Sequence, residues 1–229
     1  MISVITCSIR DQCMKNVFRN FLSQNIKTKE LIIILNNNSM KQTKWKELSN
    51  KYENIRVFQL SEKKTLGECL NVGIQKAKYR FIAKFDDDDY YGPGYLQDAL
   101  ETFKLTNADV VGKAAYYAYL RSKKALILLH ENAENRLTDW VAGPTWVCKK
   151  EVFKKVHFSH VNIGEDNDFY KKCKKKGFII RSNTKENFCL IRRVEVSSHS
   201  WKIQDEQLMK KGKIISYCKD FKPYVNSKK

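Results

Sequence analysis

The sequence lacks several features that would place the chain in a familiar class. Its longest apolar runs, such as Leu31–Leu35 and Ala125–Leu129, are far too short to cross a bilayer. The first residues, MISVIT, have neither the basic region nor the long apolar region of a secretory signal, so we expect them to form a first strand. There is no internal repeat and no low-complexity linker. The sequence therefore predicts a globular protein without a membrane span.

The cysteines show no paired arrangement. There are seven of them, an odd number, and none forms a CxxC pair. This spacing supports neither a zinc knuckle nor a disulfide framework. We interpret them as reduced residues of a cytoplasmic protein, several of them filling the core.

Acidic residues are scarce relative to basic ones. The chain has 25 Asp and Glu against 43 Lys and Arg, a formal charge of +18. Such a charge attracts polyanions, which include nucleic acid, anionic lipid and phosphate-bearing substrates. The lysines are spread along the chain, however, and a solvated lysine-rich surface is the simpler alternative. We expect no nucleic-acid partner, and the basic segment 204–229 suggests a peripheral contact at the inner face of a membrane.

Strand and helix patterns alternate four times in the first half of this 229-residue chain. This order predicts a doubly wound, mostly parallel α/β sheet that binds ligands at the carboxyl ends of its strands. The predicted strands are Ile2–Thr6, Glu30–Leu35, Ile55–Leu60 and one beginning at Phe81, with helices near 12–24, 41–52 and 65–78 between them.

The second half is less regular. It predicts a helix at Tyr95–Leu105, a β-hairpin with arms Tyr116–Leu120 and Ala125–Leu129, and a basic helix at Gln204–Lys213. We expect a single domain over 1–229. Its parts would be a nucleotide-binding half (1–115), an acceptor-side half (116–203) and a basic tail (204–229).

An acidic run follows the fourth predicted strand, in the segment FIAKFDDDDYYGPG from Phe81 to Gly94. Four carboxylates at one strand end, Asp86–Asp89, repel one another unless cations face them. Hard divalent metals take such oxygen ligands and share them with phosphate oxygens. The alternative is a solvated acidic turn.

This segment, extended to FIAKFDDDDYYGPGYL, resembles the metal-binding segment of family 2 glycosyltransferases of the GT-A fold, the spore-coat enzymes among them. Asp86 and Asp88 take the two positions of the family's DxD motif, while Asp89 and Pro93 match its trailing acid and turn. The resemblance runs from about residue 3 to about residue 202. It implies a Rossmann-like nucleotide-binding half and a smaller, mixed acceptor-side half.

The resemblance also implies roles for individual residues. Asp86 would contact the ribose and the metal shell, and Asp88 would bind the Mg²⁺ or Mn²⁺ that bridges the donor phosphates. His199, in SSHSW, would complete the metal shell, although a lone histidine is more often a surface residue. The residues expected to bind the nucleotide-sugar donor are Thr6, Ser8, Arg10, Asn37, Lys64, Asp86, Asp87 and Gly143.

Asn37 departs from the family pattern, which has an aspartate at this position that accepts a hydrogen bond from uracil. An asparagine oxygen can still accept from an N–H, so the contact is retained as an expectation. The alternative is that Asn36–Ser39 only supplies turn geometry.

The segment GEDNDF, from Gly164 to Phe169, resembles the family's Glu-Asp signature at the start of an acceptor-side helix. Asp166 is the candidate general base and Glu165 the second choice. Carboxylates at a helix N-terminus also stabilise the helix dipole, by about 0.3 to 1 kcal/mol each. Trp140 and Trp146 fall where the family lines its sugar pocket, but tryptophan also anchors cores.

The sequence thus predicts a metal-dependent, inverting glycosyltransferase. A UDP-sugar is the expected donor. The expected acceptor is a carbohydrate or another hydroxyl compound, anionic ones included, in cell-envelope, spore-coat or polysaccharide synthesis. One alternative is a nucleotidyltransferase, although no glycine-rich phosphate loop follows the first strand. The other is a polyanion-binding protein without enzymatic activity, whose binding would be steeply salt-dependent.

Overall fold

The computed structural model describes residues 1–195 and 201–226. The strands are β1 (Ile2–Ser8), β2 (Lys29–Leu35), β3 (Ile55–Gln59), β4 (Phe81–Lys84), β5 (Tyr90–Tyr91), β6 (Val110–Gly112), β7 (Tyr116–Leu120), β8 (Ala125–Leu129), β9 (Val147–Lys149), β10 (Ile180–Ser182), β11 (Phe188–Arg192) and β12 (Lys213–Tyr217). The α-helices are α1 (Met14–Leu22), α2 (Gln42–Ser49), α3 (Leu66–Lys76), α4 (Tyr95–Leu105), α5 (Glu165–Lys175), α6 (Asp205–Lys211) and α7 (Lys222–Val225). Short 3₁₀ turns cover Asp11–Cys13, Gly143–Thr145 and Lys150–Lys154.

The larger sheet has seven strands in the order β10-β6-β9-β4-β1-β2-β3. The four adjacent strands β4, β1, β2 and β3 are parallel to one another. Strand β9 lies between β4 and β6 and is antiparallel to both. The prediction of a doubly wound, mostly parallel sheet is confirmed. Aliphatic residues fill β2 because both faces of a parallel sheet are covered by helices.

Two apolar layers cover the two faces of this sheet. One contains Phe18 of α1, Trp45 of α2 and Leu96 of α4. The other contains Leu70 of α3 and Phe169 of α5. All five side chains are almost completely buried, so the hydrophobic effect holds both layers onto the sheet.

The second sheet has the order β12-β8-β7-β11-β5. Its hairpin β7-β8 has the bounds that the sequence predicts, as does helix α4. Strand β5 follows the aspartate run directly and pairs antiparallel with β11. The aspartate run therefore connects the two sheets.

The basic C-terminal segment differs from the prediction. The helix expected at Gln204–Lys213 ends at Lys211, and β12 then pairs antiparallel with β8. Val225 in α7 is fully buried. The segment 204–226 is thus packed against the second sheet instead of forming a tail. The sequence KIISY gives a weak strand signal because its residues are exposed or half-buried, without the alternation of a half-buried strand.

Within the described residues, no helix combines the length and the apolar character that crossing a membrane requires.

Candidate active site

The four aspartates alternate between exposed and buried positions after β4. The side chains of Asp86 and Asp88 are 34% and 19% exposed, while those of Asp87 and Asp89 are almost completely buried. The two carboxylates that the sequence assigns to the metal therefore face the open side of the turn. The other two point into the protein.

Asp87 ties the turn to the end of β1. It accepts a hydrogen bond of 2.5 Å from the Ser8 hydroxyl and forms an ion pair with the Arg10 guanidinium. Burial and the neighbouring Asp88 raise the pKa of the Asp87 carboxyl, and Arg10 opposes this shift. Ser8 and Arg10, which were predicted to bind the donor, thus hold an aspartate of the site.

Asp89 ties the turn to the second sheet. Its Oδ1 accepts a 2.9 Å hydrogen bond from the backbone N–H of Ile191 in β11, and burial raises its pKa well above the usual range. The backbone carbonyl oxygen of Asp89 accepts hydrogen bonds of 2.8 Å from the side-chain amides of Asn16 and Asn20 on α1. The sequence analysis missed these asparagines. Their signal is the i, i+4 spacing of two amides on a helix that is otherwise apolar on its inner face.

Asp88 faces two arginines. Its Oδ2 lies 3.3 Å from Nη2 of Arg10 and 3.2 Å from Nη2 of Arg193. Its Oδ1 makes no hydrogen bond or ion pair with the described part of the chain. Residues 1–195 and 201–226 contain no group of three or more His, Cys, Asp and Glu side chains arranged to hold a metal ion. His199 lies outside the described residues.

This donor set still fits a magnesium-type ion. Mg²⁺ is commonly held by one or two carboxylates together with substrate phosphates, and it does not need a cage made entirely of protein ligands. Asp88 offers one such oxygen on the open side of the turn. Arg10 and Arg193 place positive charge beside it.

Lys84 lies beneath the site and was not singled out from the sequence. It is 5% exposed, and its Nζ lies 3.0 Å from Oδ1 of Asp86 and 3.9 Å from Oε1 of Glu165. Burial opposes its charge, but these carboxylates outweigh that effect and raise the pKa of the ammonium group. A charged residue inside the apolar pattern of β4 is the signal that sequence reasoning could have used.

Glu165 and Asp166 begin helix α5 after Gly164, whose φ of 81° is in the left-handed region that glycine tolerates. Burial raises the pKa of the Glu165 carboxyl, and Lys84 opposes this shift. Asp166 is half-buried, and its carboxylate packs on Gly143, where a Cβ would overlap it. The two acids therefore differ in surroundings: Glu165 is buried against a lysine, and Asp166 borders the 3₁₀ turn.

Tyr91 links this turn to the aspartates. Its hydroxyl accepts a 2.8 Å hydrogen bond from the backbone N–H of Asp86 and donates one of 2.7 Å to the carbonyl oxygen of Pro144. The candidate site thus combines the ends of β1 and β4, the start of α5 and the turn at Gly143–Thr145.

The sequence model of glycosyl transferase family 2 matches residues 3–193. The chain belongs to this family. No curated protein sequence gives a significant match to this chain.

The fold is similar to that of S. aureus TarS, a GT-A glycosyltransferase. A crystal structure of TarS 1-349 has a TM-score of 0.63 and 16% identity over 83% of this chain and 60% of TarS 1-349. The structure of TarS 1-349 in complex with UDP-GlcNAc has a TM-score of 0.66 and 16% identity, over 86% of this chain and 61% of that one. The complex of TarS 1-349 with UDP has a TM-score of 0.63 and 16% identity, over 90% of this chain and 68% of that one. The chain thus spans about three fifths of the first of these relatives.

Three residues that were predicted to bind the sugar donor are buried or already make other contacts within the protein. Both hydrogen bonds to the Asn37 side-chain oxygen come from Ser39, at 2.8 Å from its N–H and 2.7 Å from its hydroxyl, so this oxygen supplies turn geometry. Lys64 pairs with Glu68 of α3 at 2.7 Å. Thr6 is buried in β1. Their contacts with a donor stay predictions.

The two tryptophans have different surroundings. Trp146 is fully buried, and its ring packs against Phe153, Phe158 and Phe169. It is therefore a core residue of the family 2 domain. Trp140 is half-buried, and its ring centroid lies 5.0 Å from that of His130.

Proposed function

We propose that the protein transfers a sugar from a nucleoside-diphosphate donor to a hydroxyl acceptor, with inversion at the anomeric carbon and with a divalent metal at Asp88. The observation that carries the proposal is the arrangement of Asp86 and Asp88 on the open side of the turn, opposite the start of α5. Membership of family 2 supports the reaction class. The complexes of TarS with UDP-GlcNAc and with UDP support a uridine diphosphate donor.

The distribution of positive and negative side chains in the site suits this reaction. Arg10 and Arg193 surround Asp88, and the buried Lys84 neutralises carboxylates below it. A diphosphate approaching the turn would meet guanidinium groups next to Asp88. Mg²⁺ or Mn²⁺, when bound there with the donor, would stabilise the negative charge that the leaving diphosphate acquires.

Asp166 is the proposed general base. It begins a helix, its carboxylate is half-buried, and it borders the glycine turn that the sequence places in the sugar pocket. There it would accept the proton of the acceptor hydroxyl as that oxygen attacks the anomeric carbon. Glu165 is less suited because it is buried beside Lys84.

Thermal-shift titrations with UDP, GDP, CDP and dTDP, each with and without Mn²⁺, test the proposal. A ligand that binds only the folded protein raises its melting temperature by mass action. We expect UDP with Mn²⁺ to raise it most and Asp88→Asn to abolish the metal-dependent part. The matched control is Asp139→Asn, which changes a 71% exposed aspartate that pairs with Lys174, and which should keep the full shift.

Product analysis then tests the reaction. With UDP-GlcNAc as a first donor, release of UDP indicates sugar transfer or hydrolysis. A nucleotidyltransferase would leave UDP unreleased and would instead release pyrophosphate from UTP and a sugar 1-phosphate, which are assayed in parallel. We expect Asp166→Asn to bind the donor normally and to lose at least about 100-fold in turnover, the usual contribution of a general base. Wild-type turnover in Asp166→Asn, or equal shifts with and without Mn²⁺, would contradict the proposed roles.

A further inference from the structure

A second cleft lies away from the aspartates. It has a volume of about 600 Å³, within the range of ligand sites in proteins. Its apolar floor includes Ile74 of α3 and Phe153, both nearly buried. We call it the basic cleft because four cationic residues line it: Lys78, Arg80, Lys150 and Lys154.

The charges of the basic cleft are poorly compensated. Glu151 is the only acidic residue among those lining it, against four cations. The ammonium groups of Lys78 and Lys154 make no hydrogen bond or ion pair with the described residues, and both side chains are exposed. Lys150 donates a 2.6 Å hydrogen bond to the carbonyl oxygen of Ala77, which fixes its direction.

The basic cleft has one polar side chain whose hydrogen bonds are already satisfied within the protein. The Asn71 amide donates to the carbonyl oxygen of Phe158 at 2.9 Å and accepts from its backbone N–H at 3.1 Å. The side chains of Gln75, Tyr79 and His157 also line the cleft and make no hydrogen bond with the described residues, but the four cations of the rim and the apolar floor are its dominant features. A ligand would therefore be recognised chiefly by charge around the rim and by apolar contact with the floor. This combination matches a phosphate group attached to an apolar body.

The basic cleft is separate from the candidate active site. Arg80 precedes β4, whereas Asp86 follows it. Six positions of extended chain separate these residues by about 20 Å. A nucleotide-sugar held at Asp88 would not reach the cleft.

We propose that the basic cleft binds the headgroup region of anionic phospholipids and so attaches the protein to a membrane surface. The lipid phosphate would lie among Lys78, Lys150 and Lys154, and the adjoining glycerol and acyl carbons would contact Phe153. The attachment does not depend on sugar transfer. The membrane contact expected of the segment 204–229 stays a separate prediction, and residues 213–217 of that segment pair with β8 of the second sheet.

Vesicle sedimentation with the full chain tests the proposal. Phosphatidylcholine vesicles with and without phosphatidylglycerol serve as probes, at matched ionic strength. We expect binding only when phosphatidylglycerol is present. The double variant Lys78→Glu/Lys154→Glu should bind at least about thirtyfold more weakly, because each basic residue lost near an anionic surface costs about 1 kcal/mol and the new glutamates add repulsion.

The matched control is Lys210→Glu/Lys211→Glu, which changes the same charge at the exposed end of α6 and should bind within about threefold of the wild type. Melting temperatures confirm that both variants fold. Equal losses in the two variants would show an unspecific charge effect and overturn the proposal, as would a loss confined to the α6 variant. Binding of inorganic phosphate at the cleft, seen by a thermal shift that Lys78→Glu/Lys154→Glu removes, with no vesicle binding, would identify free phosphate instead and also overturn it.

Discussion

Lys84→Met is the most informative single change in the candidate site. Methionine keeps the length and apolar character of the lysine stem but removes the charge that faces Asp86 and Glu165. Breaking a buried ion pair costs about 3 to 5 kcal/mol, because the remaining charge loses its partner. Asp86 is a third exposed and stays partly solvated, so we expect a loss at the lower end, about 3 kcal/mol in the free energy of unfolding.

The size of this loss should depend on pH. The pKa of Glu165 is already raised by burial, and Lys84 opposes that shift. When the pKa of a carboxyl is raised in the folded protein, the free energy of unfolding falls as the pH rises from the unfolded-state pKa through the raised one. Without Lys84 the pKa rises further, so the penalty of Lys84→Met should be larger at about pH 8 than at about pH 5, where more of Glu165 is protonated.

Urea unfolding at the two pH values measures both effects. Lys149→Met is the matched control, because Lys149 also lies 3.0 Å from a carboxylate, that of Asp109, but in a pair that is about one fifth exposed. Its loss should not exceed about 1 kcal/mol. The reasoning would be refuted if the two variants lost equal stability, or if the penalty of Lys84→Met did not change with pH.

Two further predictions follow from the structure. Gly143→Ala should lower turnover at least about tenfold, because the new methyl group displaces the Asp166 carboxylate. The melting temperature should change little, since rotation of the Asp166 side chain can make room for the methyl group. A wild-type rate would show that the position of Asp166 does not matter. Burial lowers the pKa of Lys113 to about 8. Stability should therefore rise between about pH 8 and pH 9.5 by about 1.5 kcal/mol more in the wild type than in Lys113→Met, because over this range the folded lysine loses its proton while the unfolded lysine keeps it. Parallel urea midpoints in the two proteins would contradict this assignment.

The sequence predicts those parts of the fold whose signals are local. The hairpin β7-β8 and helix α4 have the expected bounds because an uninterrupted apolar or amphipathic pattern is bounded by turn residues. Strand β12 was missed because its residues are exposed or half-buried and its pairing with β8 joins residues 85 to 92 positions apart.

The candidate site is predictable in composition but not in connectivity. The aspartate run and the Glu165-Asp166 pair are visible as motifs. The hydrogen bond between Ser8 and Asp87 joins residues 79 positions apart, and no local pattern encodes it. Lys84 could have been noticed as a charge inside a strand, but its position between two carboxylates requires the packing of α5 against β4.

Strand β12 has a practical consequence for work with this protein. The match to the family ends at residue 193, which invites shortening the chain to about residue 203. Strand β12 covers one edge of β8, whose five residues are all buried. A shortened protein would present that apolar edge with unpaired N–H and C=O groups, and such edges recruit strands from other copies. Self-association of the shortened protein would then reflect an opened sheet and not a native oligomer.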